Sequence, residues 1–266
     1  MPPDPFLHER SDFKALVETV ADSEKINDPA LVEKDYWIMH VVFGLKELGL
    51  TFELKGGTSL SKGFGVIHRF SEDIDIRIEP FDKLQVDTNP NHEKPQHIES
   101  RRVFYEKLRD KIKIPGIGSV ERDTTYDDET LRNAGLRLSY ETHFGSIAGL
   151  KDGILLEVGF DQTAPNRAVT ISSWITKFAE VKKLEHADNR PSTSSATTLN
   201  TLSWKRFRLW FENTASSRGP GKSPQISSGT TTTFINSSTW KRCRNSSEPQ
   251  STWSTRKSAS NLWITM

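Results

Sequence analysis

Apolar residues at helical spacing define the first clear element of the chain. Asp28 is a residue type that caps helices, and Pro29 stands where a first helical turn accepts proline. Apolar side chains then recur every three or four residues up to Gly49, at Leu31, Trp37, Ile38, Val41, Val42, Leu45 and Leu48. This pattern predicts an amphipathic helix between Asp28 and Gly49.

A strict alternation of polar and apolar residues marks residues 73–78, where Asp, Ile, Asp, Ile, Arg and Ile follow one another. Successive side chains of a strand point to opposite faces, so the three isoleucines would share one face. Asp73 and Asp75 then point together from the other face. Upstream, residues 51–54 form a short extended run, which Gly56-Gly57 breaks before Thr58 begins a helical turn.

Three further segments complete the coarse pattern. Residues 99–114 carry an apolar stripe typical of a helix, and residues 136–140 and 154–160 have the composition of strands. The order of these elements predicts an α/β (α+β) fold, in which helices flank a mixed β-sheet.

Composition favours a cytoplasmic protein. The 266 residues include one cysteine, Cys243, which excludes a disulfide framework or a cysteine zinc site and is typical of a reducing compartment. The sequence offers neither an apolar stretch long enough to span a bilayer nor the basic and apolar regions of an export signal. We therefore expect a cytoplasmic location and no membrane partner.

The two ends of the chain differ in charge. Residues 1–186 contain 25 Lys and Arg against 32 Asp and Glu, whereas residues 187–266 contain 11 against 3, together with 30 Ser or Thr. This contrast predicts a folded domain over residues 1–186 and a Ser/Thr/Arg-rich tail over residues 187–266. The tail could be a basic arm that binds nucleic acid through cations and tryptophans. The favoured alternative is a segment that buries too little apolar surface to fold.

The two aspartates and the glycine turn together suggest chemistry on phosphates. Nucleotidyl transfer commonly uses magnesium on oxygen ligands, and two carboxylates on one strand face can hold it. Gly56 and Gly57 leave backbone N–H groups accessible to phosphate oxygens. The candidates for phosphate contact are Gly56, Gly57, Thr58, Ser59, Ser61, Lys62 and Ser71, with Arg69 as an additional one.

A third carboxylate usually completes a two-metal site. Glu157 is the first candidate because it lies opposite the apolar face of its strand, and Asp161 is the second. Each part has a simpler explanation when taken alone. An Asp-X-Asp pair is often a solvated strand face, a Gly-Gly pair a turn, and a strand glutamate an exposed or salt-bridged residue. The joint pattern is more specific than any of its parts.

This joint pattern resembles the signature of the AbiEii/AbiGii toxin family. The residues that carry the resemblance are Leu54-Lys55-Gly56-Gly57-Thr58-Ser59-Leu60-Ser61-Lys62-Gly63-Phe64-Gly65, Arg69-Phe70-Ser71-Glu72-Asp73-Ile74-Asp75 and, upstream, Val32-Glu33-Lys34-Asp35-Tyr36-Trp37. The similarity extends over residues 25–186 and implies a polymerase-beta-like nucleotidyltransferase fold. It also implies that Gly56, Gly57 and Thr58 face a nucleoside triphosphate. Asp73 and Asp75 would bind magnesium, and a separately encoded antitoxin would restrain the toxin.

Residues 187–266 depart from the family pattern, in which a helical second half bears a Val-Glu-Lys-Leu-like and a His-Tyr-Tyr-Asp-like segment. The genetic code permits both segments in a shifted reading frame of the same DNA. Trp204-Lys205 requires Glu in that frame, and Gly229-Thr230-Thr231-Thr232-Thr233 permits His-Tyr-Tyr-Asp. One frameshift near residues 187–197 therefore explains both, and it predicts a disordered tail in place of a helical C-terminal domain.

Three functions remain open at this point. The leading one is a nucleotidyltransferase toxin that moves a nucleotide from a nucleoside triphosphate to RNA, such as tRNA, or to a protein. It would use two magnesium ions held by Asp73, Asp75 and Glu157. The second is a catalytically inactive, truncated remnant that binds nucleotide or the antitoxin. The third is a glycosyltransferase that uses Asp73-Ile74-Asp75 for a metal and a nucleotide sugar, a function that does not need the upstream glycines.

Overall fold

A computed structural model describes residues 4–67, 70–146, 149–161 and 166–197, and two short strands beyond them. The first elements are the helices α1 (Phe13–Glu24) and α2 (Pro29–Glu47), strand β1 (Phe52–Lys55), the single turn α3 (Gly56–Thr58) with a π-helical turn over Ser59–Gly63, and strand β2 (Asp73–Ile78). They are followed by α4 (Pro95–Lys111), β3 (Ile117–Asp123), β4 (Asn133–Tyr140), β5 (Ile154–Gly159), β6 (Asn166–Thr170), α5 (Trp174–Lys182), β7 (Ser192–Thr197), β8 (Thr232–Ile235) and β9 (Leu262–Thr265).

Strands β1 to β7 form one mixed sheet in the order β3-β4-β5-β2-β1-β7-β6. Strand β2 lies in the middle, where it is antiparallel to β1 and parallel to β5. Strands β8 and β9 pair with each other in a separate antiparallel ribbon. The predicted fold class, a mixed sheet with flanking helices, is confirmed.

Strand β2 follows the alternation that the sequence predicts. Ile74, Ile76 and Ile78 are at most 1% exposed, whereas the intervening residues are half-buried. Burying each isoleucine contributes about 1.5–3 kcal/mol, and a slip by one residue would exchange the two faces. The core therefore fixes the register of β2 and with it the direction of Asp73 and Asp75.

Helix α2 is buried on nearly every side, which corrects the prediction of an amphipathic helix. Its predicted start is confirmed, because the Asp28 carboxylate accepts a hydrogen bond from the Ala30 N–H at 3.0 Å. The helix contacts α1, α5, β2 and β5. Its buried polar residues are Glu33, Lys34, Asp35 and His40. Buried charges require partners, and some of these partners belong to the candidate site.

Other elements differ from the predicted ones at their ends. Helix α4 begins at Pro95 rather than at residue 99, and it ends at Lys111 because Ile112 has an extended backbone. The pattern of the sequence did not identify α1, β3, α5, β6 or β7. Strand β7 lies between β1 and β6, so the sheet continues beyond residue 186. Strands β7, β8 and β9 fall in the predicted tail, and most of its other residues lie outside the described part of the chain.

Candidate active site

Strands β2 and β5 bring three carboxylates onto one face of the sheet. Asp75 is in register with Glu157 of β5 on one side and with Lys55 of β1 on the other. Asp73 lies two residues earlier on the same face of β2. Because neighbouring strands are about 4.8 Å apart, Asp75 and Glu157 lie side by side, with Asp73 one side-chain repeat further along the same face. The structure thus brings together Asp73, Asp75 and Glu157, the predicted metal ligands.

Burial and mutual repulsion shape the electrostatics of this group. The pKa of Asp75 is raised, first by burial and further by the negative charge of Asp73. The pKa of Glu157 is also raised, by burial and then by the charges of Asp75 and Asp73. Bound cations relieve both effects, because they replace lost solvation and neutralise the repulsion. This set of oxygen donors therefore fits magnesium.

A lysine outside the sequence motif neutralises one of the carboxylates. The Lys151 ammonium lies 3.0 and 3.2 Å from the two carboxylate oxygens of Asp73. The backbone N–H of Lys151 donates to Glu72 at 3.1 Å. From helix α2, the buried Lys34 ammonium donates to the Lys151 carbonyl at 2.5 Å and lies 3.5 Å from Glu72. Through Lys34, helix α2 thus holds the loop before β5 in place, and Lys151 of that loop pairs with Asp73.

The glycine turn packs directly against the carboxylates. Gly56 has a φ of +67°, and a Cβ atom there would lie 1.9 Å from Oδ2 of Asp75. The left-handed conformation and the close approach both require glycine. Two residues later, the buried Thr58 hydroxyl donates to the Asp73 carbonyl at 2.6 Å. The turn is therefore in contact with β2 at both aspartates.

The remaining candidates for phosphate contact have different surroundings. Gly57 is the second residue of α3, and Ser59 is buried directly after that helix. The Ser61 hydroxyl is 3.4 Å from the Thr58 carbonyl, to which it donates. Ser71 is half-buried two residues before β2, and residue 69 lies outside the described residues. Among the described candidates for phosphate contact, Gly56 is the one that packs directly against the Asp75 carboxylate.

Lys62 is bound at a different place from the three carboxylates. Its ammonium lies 2.6 Å from the buried carboxylate of Asp35 and 4.3 Å from the centroid of the Trp174 ring. Asp35 also accepts from the Trp174 N–H at 2.9 Å, in the first turn of α5. The pair therefore joins α2, the turn after α3 and α5. Asp161, the alternative third carboxylate, is exposed and pairs with Arg132 at 2.5 Å.

Lys151 and Glu72 are the residues of this site that sequence analysis did not identify as functional. Lys151 is 78 residues away from Asp73, and no periodicity connects the two. One signal was available upstream, because Glu33, Lys34 and Asp35 interrupt an otherwise apolar helix and each needs a partner. Glu33 meets this need by accepting from the Thr142 hydroxyl at 2.7 Å.

Comparison with known proteins identifies the family. No curated protein matches the chain. The family described as nucleotidyl transferase AbiEii toxin, type IV toxin–antitoxin system, matches residues 38–218, a range that includes the glycine turn and all three carboxylates. Among the described residues, no helix is both long and apolar enough to cross a membrane. Because the match covers more than half of the sequence, the chain belongs to the AbiEii nucleotidyl transferase toxin family of type IV toxin–antitoxin systems.

Proposed function

We propose that this chain transfers a nucleotide from a nucleoside triphosphate to an acceptor hydroxyl and that it acts as the toxin of its system. The observation that carries the proposal is the group Asp73, Asp75 and Glu157, placed on one face of the sheet beside the Gly56 turn. Family membership supports the type of reaction, and the donor set supports magnesium as the metal. The acceptor is RNA, such as tRNA, or a protein.

Different residues of the site are proposed to bind the metal, to compensate charge and to contact phosphate. Magnesium on the three carboxylates would neutralise the triphosphate and stabilise the charge that develops during transfer. Asp75 and Glu157 are held side by side by the paired strands, so their separation does not depend on a loop. Lys151 compensates part of the negative charge of Asp73. The backbone of Gly56, Gly57 and Thr58, with Ser59, Ser61 and Ser71 nearby, is proposed to contact phosphate.

The contacts of Lys62 favour a supporting role over phosphate binding. Its side chain is 13% exposed, and its ammonium is paired with Asp35. A lysine that met the triphosphate would have to leave Asp35 as an uncompensated buried charge, which is costly. We therefore propose that Lys62 holds the turn after α3 in place.

An antitoxin is the partner that the family implies. We propose that a separately encoded protein restrains the toxic activity, since a growth-inhibiting transferase requires restraint in the cell that makes it. The test is growth of cells that express this chain alone or together with a candidate antitoxin from a second gene. Toxicity that requires Asp75 and is relieved by the second protein would support the assignment, and growth unaffected by the chain would contradict it.

The experiment for the enzymatic claim is a transfer assay with the full chain. The protein is incubated with each labelled nucleoside triphosphate, RNA and Mg²⁺, and label in RNA and in protein is measured. Asp75→Asn should abolish transfer, whereas Asp161→Asn should retain it because Asp161 pairs with Arg132 on the surface. Transfer by Asp75→Asn at the wild-type rate would contradict the metal assignment.

The same assay distinguishes the two alternatives. Nucleotide binding without turnover by the wild-type chain would favour a catalytically inactive remnant that binds nucleotide or antitoxin. Transfer of sugar from a nucleotide sugar would favour a glycosyltransferase. The close packing of Gly56 on Asp75 favours nucleotidyl transfer over the latter, because a lone Asp-X-Asp site does not need a glycine there.

A further inference from the structure

A second group of potential metal ligands lies in the connection between β2 and α4. Nδ1 of His92 is 2.7 Å from Oδ2 of Asp87, and Nδ1 of His97 is 2.5 Å from the same oxygen. The two imidazole rings are 4.7 Å apart between centroids. Three ligand atoms therefore converge within 4.8 Å of one another. At these distances each Nδ1 either forms a hydrogen bond with Oδ2 of Asp87 or binds, together with that oxygen, to a common cation.

A buried arginine holds the backbone of this group in place. Arg101 is fully buried, and its guanidinium donates to the carbonyls of Asp87 at 2.7 Å and of His92 at 2.7 Å. His97 lies four residues before Arg101 on α4, so it faces the same side of that helix. One side chain thus positions the backbones of two ligands and shares a helix face with the third.

The second nitrogen of His92 also has a partner. The Asn89 side-chain nitrogen lies 3.3 Å from Nε2 of His92. The Asn89 backbone N–H in turn donates to Oδ1 of Asp87 at 3.0 Å. A neutral histidine that binds metal through Nδ1 carries its proton on Nε2 and donates it to a neighbouring acceptor, which fixes the ring orientation. Turning the Asn89 side-chain amide by 180° places its oxygen at the position of its nitrogen, so that it accepts from Nε2 and the ring can coordinate through Nδ1.

The chemistry of the donors selects the class of ion. Two imidazoles and one carboxylate suit zinc and related transition metals, whereas magnesium prefers oxygen alone. Ligands of a tetrahedral zinc lie roughly 3.3 Å apart, since each bond is about 2.0–2.2 Å. The side chains would have to open by less than about 1 Å from their present contacts. A surface groove that includes Asp87, Asn89 and His97 leaves space for a water molecule as fourth ligand.

This group is separate from the proposed active site. Strand β2 carries Asp73 and Asp75 at its beginning, and the connection to α4 leaves its opposite end after Ile78. Five residue steps along a strand span roughly 16 Å. Arg101 also donates to the Thr130 carbonyl at 2.7 Å, next to the start of β4. Asn133, at the start of β4, pairs with Gly159, which lies two residues after Glu157 on β5. This part of β4 is therefore also at the end of the sheet away from the three carboxylates.

We propose that Asp87, His92 and His97 bind one divalent transition-metal ion, which fixes the connection between β2 and the first turn of α4. This site does not depend on the proposed transferase activity.

Calorimetric titration of the metal-free full chain with Zn²⁺, in the presence of excess Mg²⁺, tests this proposal. We expect one bound Zn²⁺ per chain at this site. His92→Ala and His97→Gln should each weaken Zn²⁺ binding at least about 100-fold. Loss of a residue that only orients a metal ligand lowers metal affinity by roughly 10–100-fold, and loss of the ligand itself lowers it further. Glutamine at residue 97 keeps a hydrogen-bond donor near Asp87, so this variant separates loss of ligation from loss of fold.

Three control variants exclude other sources of binding. His186→Gln removes a histidine whose ring contacts the Leu184 carbonyl, and it should bind Zn²⁺ as the wild type does. Cys243→Ser and Asp75→Asn should also bind normally, which separates this site from the single thiol and from the proposed active site. Zn²⁺ binding that is unchanged in both His92→Ala and His97→Gln would overturn the proposal, as would a wild-type chain that binds no Zn²⁺.

Discussion

Replacing Gly56 by alanine tests whether the glycine turn sets the position of the catalytic carboxylate. The left-handed backbone alone costs roughly 1–2 kcal/mol with any side chain. The new Cβ would lie 1.9 Å from Oδ2 of Asp75, so the carboxylate must move by about 1.5 Å to restore an ordinary contact of 3.4 Å. A misplacement of about 1 Å in a catalytic group can cost roughly 100-fold in rate. We expect Gly56→Ala to lower transfer at least that much.

Gly49→Ala is the matched control for this experiment. Gly49 has a φ of +73°, yet a Cβ atom there would meet nothing within 4 Å. Gly49→Ala should lose about 1–2 kcal/mol in urea unfolding from the backbone cost alone, and Gly56→Ala should lose at least as much, because its Cβ also displaces the Asp75 carboxylate. Gly49→Ala should retain the initial rate of nucleotide transfer. The reasoning is refuted if Gly56→Ala transfers at the wild-type rate, or if both variants lose transfer equally.

Three further predictions concern stability. Burial raises the pKa of Asp75 in the folded protein above its value in the unfolded chain. The stability that this carboxyl contributes is therefore fully present below the unfolded pKa and is lost as pH rises through the folded pKa. Asp75→Asn should therefore raise the Tm of the metal-free protein at neutral pH, and an unchanged or lower Tm in a series of melts with chelator would contradict this. Lys62→Met should lower the free energy of unfolding by about 3–5 kcal/mol, because Asp35 is then an uncompensated buried charge, and adding Asp35→Asn should recover most of that loss. A Lys62→Met variant as stable as wild type in urea would instead favour a role of Lys62 at phosphate. Finally, a chain that ends at residue 191 lacks β7 but keeps the buried Asn189, and it should melt at least about 4 °C below one that ends at residue 197. Equal Tm values would show that β7 adds no stability.

Local patterns were sufficient to predict the central part of the fold. The alternation in residues 73–78 specified which face carries the carboxylates, because a strand has a fixed period and a buried apolar face. The cap at Asp28 and the break at Gly56 were also predicted from residue types alone. Glu157 was chosen over Asp161 on the same principle, since only the former lies within a strand opposite apolar neighbours.

Long-range contacts account for what the sequence did not predict. Lys151 reaches Asp73 only because β5 pairs with β2, and strand order is not encoded in any local period. Helix α2 was predicted to have a polar face, yet Glu33, Lys34 and Asp35 are buried because each meets a partner from a distant segment. The ion pair of Lys62 was not predicted for the same reason, since its partner Asp35 lies 27 residues earlier in the sequence.

The most direct test of the central claim is the Mg²⁺-dependent rate of labelled-nucleotide transfer by single-carboxylate variants of the full chain. If Asp73, Asp75 and Glu157 hold the metal together, then Asp73→Asn, Asp75→Asn and Glu157→Gln should each abolish transfer while the far-UV circular dichroism spectrum stays that of the wild type. Asp161→Asn should transfer at the wild-type rate. Substantial transfer by any of the first three variants, or a rate independent of Mg²⁺, would contradict the account.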